Sequence, residues 1–366
     1  MKKKATSKAA DPVDALRHRI DALDADLVRL LNQRTEIVLE IGEIKKKLGK
    51  EIYVPSREKT VFDRVTKLNQ GPLPGDSIRA IYREVMSAAL SLECGLKIAY
   101  LGPTATFTHQ ASRLRFGASV EYVAVETIGD VFTAVQKRTA DYGVVPIENS
   151  TDGAVTHTFD EFVETSLKIC AEIYLPISHN LMAVGKKSDI KKIYSKPEVF
   201  GQCRRWLNST MPGVELIPVS STAKGAEMAS KDPKTGALAS NLAADLYNLK
   251  VLAHDVQDMA GNTTRFLVIG KSCGSPTGND KTSICFTVKD RVGALHDVLA
   301  SFKRGGINMS KIESRPSRQR AWDYIFFVDI DGHADEPHVK KALRSLHDHC
   351  ARMSVLGSYP KALETA

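Results

Sequence analysis

The chain has 366 residues, 43% hydrophobic and 26% charged, which is the balance of a soluble globular protein with room for two or three domains. Its net charge is +8, but Lys2, Lys3, Lys4 and Lys8 supply four of those charges, so the remainder is only mildly basic and suits small anionic ligands as well as nucleic acid. No stretch has the length of a membrane helix, the MKKK start lacks the apolar segment of a secretory signal, and six dispersed cysteines without a CxxC pair argue against a zinc site or a disulfide scaffold. The expectation is a cytoplasmic protein whose residues 1–10 form a disordered leader.

Asp11-Pro12 reads as a helix start, an acidic N-cap followed by proline at the first helical position. Apolar residues then recur at Leu16, Ile20, Leu23, Leu27, Leu30, Ile37, Ile41, Ile44 and Leu48, alternately four and three apart, as in a coiled-coil or bundle seam. A helix from Pro12 to Leu48 would be roughly 55 Å long. A compact domain of its own size cannot cover such a stripe, so the spacing predicts a dimer through this helix. Arg34 takes the seam slot between Leu30 and Ile37, and a guanidinium there is costly unless something anionic meets it. Lys45 lies three turns later, within about 20° of the same face. Arg17 is about 100° around and roughly 25 Å along the helix from Arg34, so it can serve the same small molecule only from another subunit. Two shorter amphipathic segments follow, one from about Ser56 with Arg57 and Glu58 in its first turn, the other from about Asp76 to Glu93, separated by Gly71-Pro72-Leu73-Pro74-Gly75.

DALRHRIDALDADLVRLLNQR, the GEIKKK that follows and the later SREK resemble the all-helical chorismate mutase domain. The resemblance implies that residues 11–94 form a dimerising helical domain that binds a dicarboxylate. It places Arg34, Lys45, Arg57, Glu58 and Glu93 in one site and brings Arg17 from the partner subunit. The implied reaction is a pericyclic rearrangement of chorismate, driven by holding a compact conformer and stabilising charge on the breaking ether oxygen. Three positions depart from the common pattern: Val54 replaces an Asp, Ala89 a Ser and Glu93 a Gln. A carboxylate facing an ether oxygen must be protonated, which implies a raised pKa for Glu93 and better activity at lower pH. A bundle that only dimerises, with a silent mutase, is the alternative.

In the middle of the chain, the apolar run Tyr142-Gly143-Val144-Val145 is followed by Pro146 and then by Glu148, Asn149, Ser150, Thr151, Asp152 and Gly153. Polar residues after a buried strand are how α/β proteins build a ligand edge, and they are also what a capped turn needs. Strand and helix patterns alternate over residues 96–271, which predicts parallel sheets in two lobes with a cleft between them. YLGP with TFT, VPIENSTDG, SHNLM, KPEVFGQCRRWL and NTTRF are similar, in sequence and order, to prephenate dehydratase. The implied reaction is loss of carboxylate and ring hydroxyl from prephenate to give phenylpyruvate. The resemblance makes Thr264 the essential threonine, read here as a hydrogen-bond donor to the departing oxygen. Arg265 is then a carboxylate clamp or a support for that hydroxyl, or alternatively a structural ion pair. Glu148, Asn149, Ser150, Thr106, Ser178 and Phe266 complete the expected cleft, with Glu148 also a catalytic candidate. His157 and His179 are read as structural. Ala105 stands where the family has glycine.

KSCGSPTGND (Lys271 to Asp280) marks a linker, placed at residues 272–281, and leads into a βαββαβ pattern over 282–360. GALHDVLASF, IESRP and LGSYP resemble the regulatory ACT domain, which implies phenylalanine bound between two such domains by Gly293, Ala294, Leu295, Glu313, Ser314, Arg315 and Pro316. Val292 replaces a common proline. The expectation is a multidomain chain, with all-α, two-lobed α/β and α+β parts in order. It would be a bifunctional enzyme acting on chorismate and prephenate, inhibited by phenylalanine, a dimer or tetramer, with no metal, no cofactor, no nucleic acid and no membrane partner. A non-catalytic sensor of aromatic amino acids is the rival.

Overall fold

The structure, a computed structural model, describes residues 11–49, 53–272, 274–289, 291–317 and 324–362. The expected leader lies outside the described residues. Helix α1 runs Pro12–Lys47, and the Asp11 carboxylate caps it by accepting the Val13 N–H at 3.0 Å. Helix α3 (Gly75–Cys94) packs against its C-terminal half, and α2 (Pro55–Leu68) packs against α3. The seam residues are left open: Leu16, Leu23, Leu30, Ile37 and Leu48 are each more than half exposed. No helix of the described residues is long and apolar enough to cross a membrane.

Gly95, at φ +57, closes α3, and only Leu96 separates it from the next domain. That domain begins β1 (Lys97–Leu101), α4 (Phe107–Phe116), β2 (Glu121–Val125), α5 (Ile128–Gln136), β3 (Tyr142–Asn149), β4 (Gly153–Ala154), α6 (Thr156–Glu164) and β5 (Lys168–Pro176). A second lobe holds β6 (Asn180–Ala183), β7 (Lys192–Ser195), α7 (Pro197–Gln202), α8 (Arg204–Thr210), β8 (Glu215–Pro218), α9 (Thr222–Ala229), β9 (Thr235–Ala239), α10 (Asn241–Leu246) and β10 (Lys250–Ala253). The chain then returns to the first lobe as β11 (Thr263–Gly270). The sheets are ordered β2-β1-β3-β11-β5 and β10-β6-β9-β7-β8. The expectation of parallel sheets is corrected: β1–β2, β1–β3, β7–β8 and β7–β9 are parallel, but β11 runs antiparallel to both β3 and β5. The reversal follows from topology, because β11 enters from the far lobe instead of through a crossover helix.

The last domain comprises β12 (Asp280–Val288), α11 (Ala294–Gly305), β13 (Met309–Pro316), β14 (Tyr324–Asp331), α12 (Pro337–His349) and β15 (Cys350–Pro360), in an antiparallel sheet ordered β13-β14-β12-β15. Asp280 and Lys281, placed in the linker by composition, are the first residues of β12. One face of this sheet packs on α11 and α12 through Phe286, Val298, Phe302 and Leu346. The other face supplies Cys285, Ile325, Phe327 and Leu356 to the core of the first lobe, with Phe327 4.9 Å from Phe159. The regulatory-type domain therefore shares a hydrophobic core with the lobe beside it.

Candidate active sites

The helical pocket is lined by Arg34, Val38, Ile41 and Lys45 of α1, by Tyr53, Val54, Arg57, Glu58 and Val61 at α2, and by Met86, Ala89, Leu90 and Glu93 of α3, around a cavity of about 180 Å³. Five of the six residues expected in this site are thus brought together. Arg17 is not among them; it lies on the exposed N-terminal part of α1, paired with Asp14 at 3.0 Å. Arg34 Nη1 is buried without an acceptor, which suits an anionic guest. Glu93 is 6% exposed and its Oε1 also lacks a partner. Burial pushes its carboxyl above the usual range although Lys45 and Lys46 pull the other way, the direction required if it is to donate a proton to an ether oxygen. Gly42 makes room for it, because a Cβ there would fall 2.4 Å from Glu93 Cγ. Glu58 is held from behind, accepting from Tyr53 Oη at 2.9 Å and from Arg115 Nη2 at 2.5 Å.

The cleft between the α/β lobes is built on β3, β11 and the two crossings that link the lobes. Asn149 Nδ2 donates to Thr264 Oγ1 and to Asn262 Oδ1, both at 2.8 Å, while its Oδ1 accepts the N–H groups of Thr151 and Asp152. Asn149 is thereby saturated, and Thr264 Oγ1, already an acceptor, keeps its O–H to donate elsewhere. Ser150 accepts the Thr263 N–H at 2.9 Å and so zips the turn to β11. Asp152 accepts from Gln202 at 3.2 Å across the lobes, and Gln202 meets His179 Nε2, just before β6, at 2.9 Å. Desolvation holds the His179 imidazole below its usual pKa, so it is neutral, and its Nδ1 is buried without a partner. Asp152, Gln202, Asn262 and His179 were not among the expected site residues, although each lies inside or beside a motif already noted.

The other five expected liners are engaged elsewhere. Along β11, Thr264, Phe266 and Val268 point to the α4 side and Arg265, Leu267 and Ile269 to the opposite side, as the two-residue period of a strand requires. Arg265 is therefore no clamp in the cleft: it is 5% exposed and bonds Glu172 at 2.9 Å, Asp329 at 2.5 Å and Tyr359 Oη at 3.0 Å. Glu148, opposite Arg265 in register, pairs with Lys311 of β13 at 2.5 Å. Phe266 is a core residue, 1% exposed. Ser178 is half-buried and donates to Asp255 in a short hydrogen bond. Thr106 caps α4, accepting the His109 N–H at 3.3 Å. Ala105, in the place of the family glycine, has φ +72, the left-handed conformation for which glycine is the default.

In the last domain Gly293, at φ +76, caps α11 and precedes buried Ala294, while Val292 beside it is fully exposed. Along β13, Ser314 and Pro316 are exposed and Arg315 turns inward to Asp160 at 3.5 Å, so the IESRP motif is also divided by strand alternation.

Family models match in the same order as these three parts: Chorismate mutase type II over residues 16–94, Prephenate dehydratase over 98–273 and ACT domain over 282–348. A bifunctional chorismate mutase/prephenate dehydratase of Aquifex aeolicus is 49% identical over 95% of this chain and 98% of its own length. One from Pseudomonas aeruginosa is 41% identical over 96% and 99%. Among solved structures, a prephenate dehydratase from Arthrobacter aurescens in complex with L-Phe superposes with a TM-score of 0.67 at 34% identity, covering 72% of this chain and 90% of that one. With the helical pocket, the two-lobed cleft and the regulatory-type sheet in the order these relatives share, the chain belongs to the family of bifunctional chorismate mutase/prephenate dehydratases.

Proposed function

We propose that the helical pocket rearranges chorismate to prephenate and that the cleft converts prephenate to phenylpyruvate, water and carbon dioxide, with phenylalanine as feedback effector. The observation that carries this reading is the convergence of Arg34, Lys45, Arg57, Glu58 and Glu93 on one cavity, together with the Asn149–Thr264 hydrogen bond in a second site. In the pocket the cations meet the substrate carboxylates and hold its compact form, while neutral Glu93 donates to the ether oxygen as the C–O bond breaks. In the cleft, the electrons of the breaking bond to the ring carboxylate enter the ring and expel the hydroxyl opposite. Thr264 O–H donates a hydrogen bond to that leaving oxygen, which takes a proton from solvent to depart as water, and aromatisation provides the driving force.

The half-exposed stripe of α1 supports a dimer in which two such helices pair and Arg17 reaches the partner's pocket. Exposed Val292 beside Gly293 supports a phenylalanine site closed by a second copy of the last domain. A cytoplasmic location fits five free cysteines among the described residues. The test is turnover by the purified chain from pH 5 to 8, following chorismate, prephenate and phenylpyruvate separately, with and without phenylalanine. Chorismate consumed, phenylpyruvate formed and both suppressed or slowed by phenylalanine is the expected result. Chorismate untouched while prephenate is consumed leaves a silent mutase, and no turnover of either makes the chain a sensor.

A further inference from the structure

Glu58 lines the helical pocket, but the group that holds it belongs to another domain. Arg115 is the penultimate residue of α4, the first helix of the dehydratase domain, which Thr106 caps. Its guanidinium reaches Glu58 Oε2 at 2.5 Å, and Tyr53 Oη donates to the same oxygen at 2.9 Å. Both contacts fall on Oε2, which leaves Oε1 as the acceptor at the pocket wall. Arg83 of α3 is also within electrostatic reach of Glu58, but among the described residues the ion pair is made by Arg115. The seat around the pair is built from both domains. The Tyr53 ring packs on Phe116 of α4 and Tyr142 of β3 at 5.4 and 5.1 Å, and Tyr142 Oη donates to the Tyr53 carbonyl at 3.2 Å. Glu84 and Ser87 of α3 accept the N–H groups of Ala118 and Ser119, just past the end of α4, at 2.9 and 3.0 Å. The side chain of Glu58 is 8% exposed, and a carboxylate so enclosed keeps one orientation only while its cation stays in place.

We propose that Arg115, a residue of the dehydratase domain, is a positioning residue of the mutase, fixing Glu58 so that Oε1 is presented to the substrate. The proposal rests on the mutase reading of the helical pocket. It makes that site a composite of two domains, so that the mutase is incomplete without α4.

The test uses the full chain and measures chorismate and prephenate turnover side by side. Arg115→Gln is expected to lower mutase kcat/KM by about 10- to 100-fold, the scale of a misplaced active-site group, while prephenate turnover stays within about twofold of wild type, because Thr264, Asn149 and Gln202 are untouched. Arg115→Lys, which restores the charge, is expected to recover most of the loss; a merely packing role would not distinguish Lys from Gln in this way. If Arg115→Gln does not accumulate as folded protein, Tyr53→Phe, which deletes one hydroxyl from the same oxygen, is expected to cost the mutase a few-fold and the dehydratase nothing. Unchanged mutase in Arg115→Gln, or in Tyr53→Phe where Arg115→Gln does not fold, or an equal fall of both activities, overturns the proposal. Wild type that leaves chorismate untouched overturns the mutase reading itself, and the proposal with it.

Discussion

The helical pocket and the strand-built cleft assemble their sites by opposite rules. In the pocket, residues far apart in sequence converge: Arg34 and Lys45 lie on one stripe of α1, and Arg57 and Glu93 come from two further helices. In the cleft, residues adjacent in sequence diverge: Thr264 meets Asn149 on one side of β11 while Arg265 meets Asp329 and Glu172 on the other. A helix brings a motif's members to one face at intervals of three and four, whereas a strand sends neighbours to opposite faces. A short motif on a strand therefore serves two surfaces at once. Here one surface is the proposed substrate cleft and the other is the contact with the regulatory-type domain, where Glu148 and Arg265 of the lobe face Lys311 and Asp329 across the boundary.

The sharpest way to break this comparison is Arg265→Met. If Arg265 is a buried interdomain charge, its loss leaves Glu172 and Asp329 without their shared cation and costs about 3 to 5 kcal/mol of stability, read as a fall in denaturation midpoint with the Michaelis constant for prephenate little changed in the folded fraction. A clamp in the cleft would instead raise that constant and spare stability. On the other face of the same strand, Thr264→Ala is expected to lower dehydratase kcat by about 10²- to 10³-fold without touching the mutase, so that prephenate accumulates from chorismate. In the pocket, Gly42→Ala drives a methyl into Glu93 and is expected to cost the mutase about 10- to 100-fold, with prephenate turnover as the internal control. The smallest effect concerns pH. In the proposed mechanism Glu93 acts protonated, and burial raises its pKa, so mutase activity is expected below that raised value and lost as pH climbs through it. Glu93→Gln is expected to keep activity and abolish the alkaline decline; a variant that still falls with pH assigns the titration to another group.

Much of this was legible in the residues. The N-cap at Asp11, the four-three seam of α1 and the common face of Arg34 and Lys45 needed only helical arithmetic, and the βαββαβ order needed only period and turns. What escaped is what depends on pairing between distant strands. Arg265 could not be oriented without knowing that it stands opposite Glu148 and Tyr174, nor that Asp329 lies across a domain boundary. Gln202 and His179 sit within motifs, but their meeting with Asp152 depends on two lobes facing each other. Arg115 sits in an unremarkable turn of α4, and nothing local signals that its partner lies 57 positions earlier on another domain.

The aromatic seat of Tyr53, Phe116 and Tyr142 bears on how such chains can be divided and joined. The Arthrobacter prephenate dehydratase matches 72% of this chain with 90% of its own length, so nearly all of that enzyme is accounted for without the whole of this one. Removing the helical domain from this chain would strip the cover from Phe116 and Tyr142 and leave Arg115 with no carboxylate, an apolar patch around a lone cation. The helices are a module in gene order but not in surface chemistry. A two-lobed enzyme without them would leave Arg115, Phe116 and Tyr142 on an open surface, so those three positions carry the helical domain's imprint on the dehydratase.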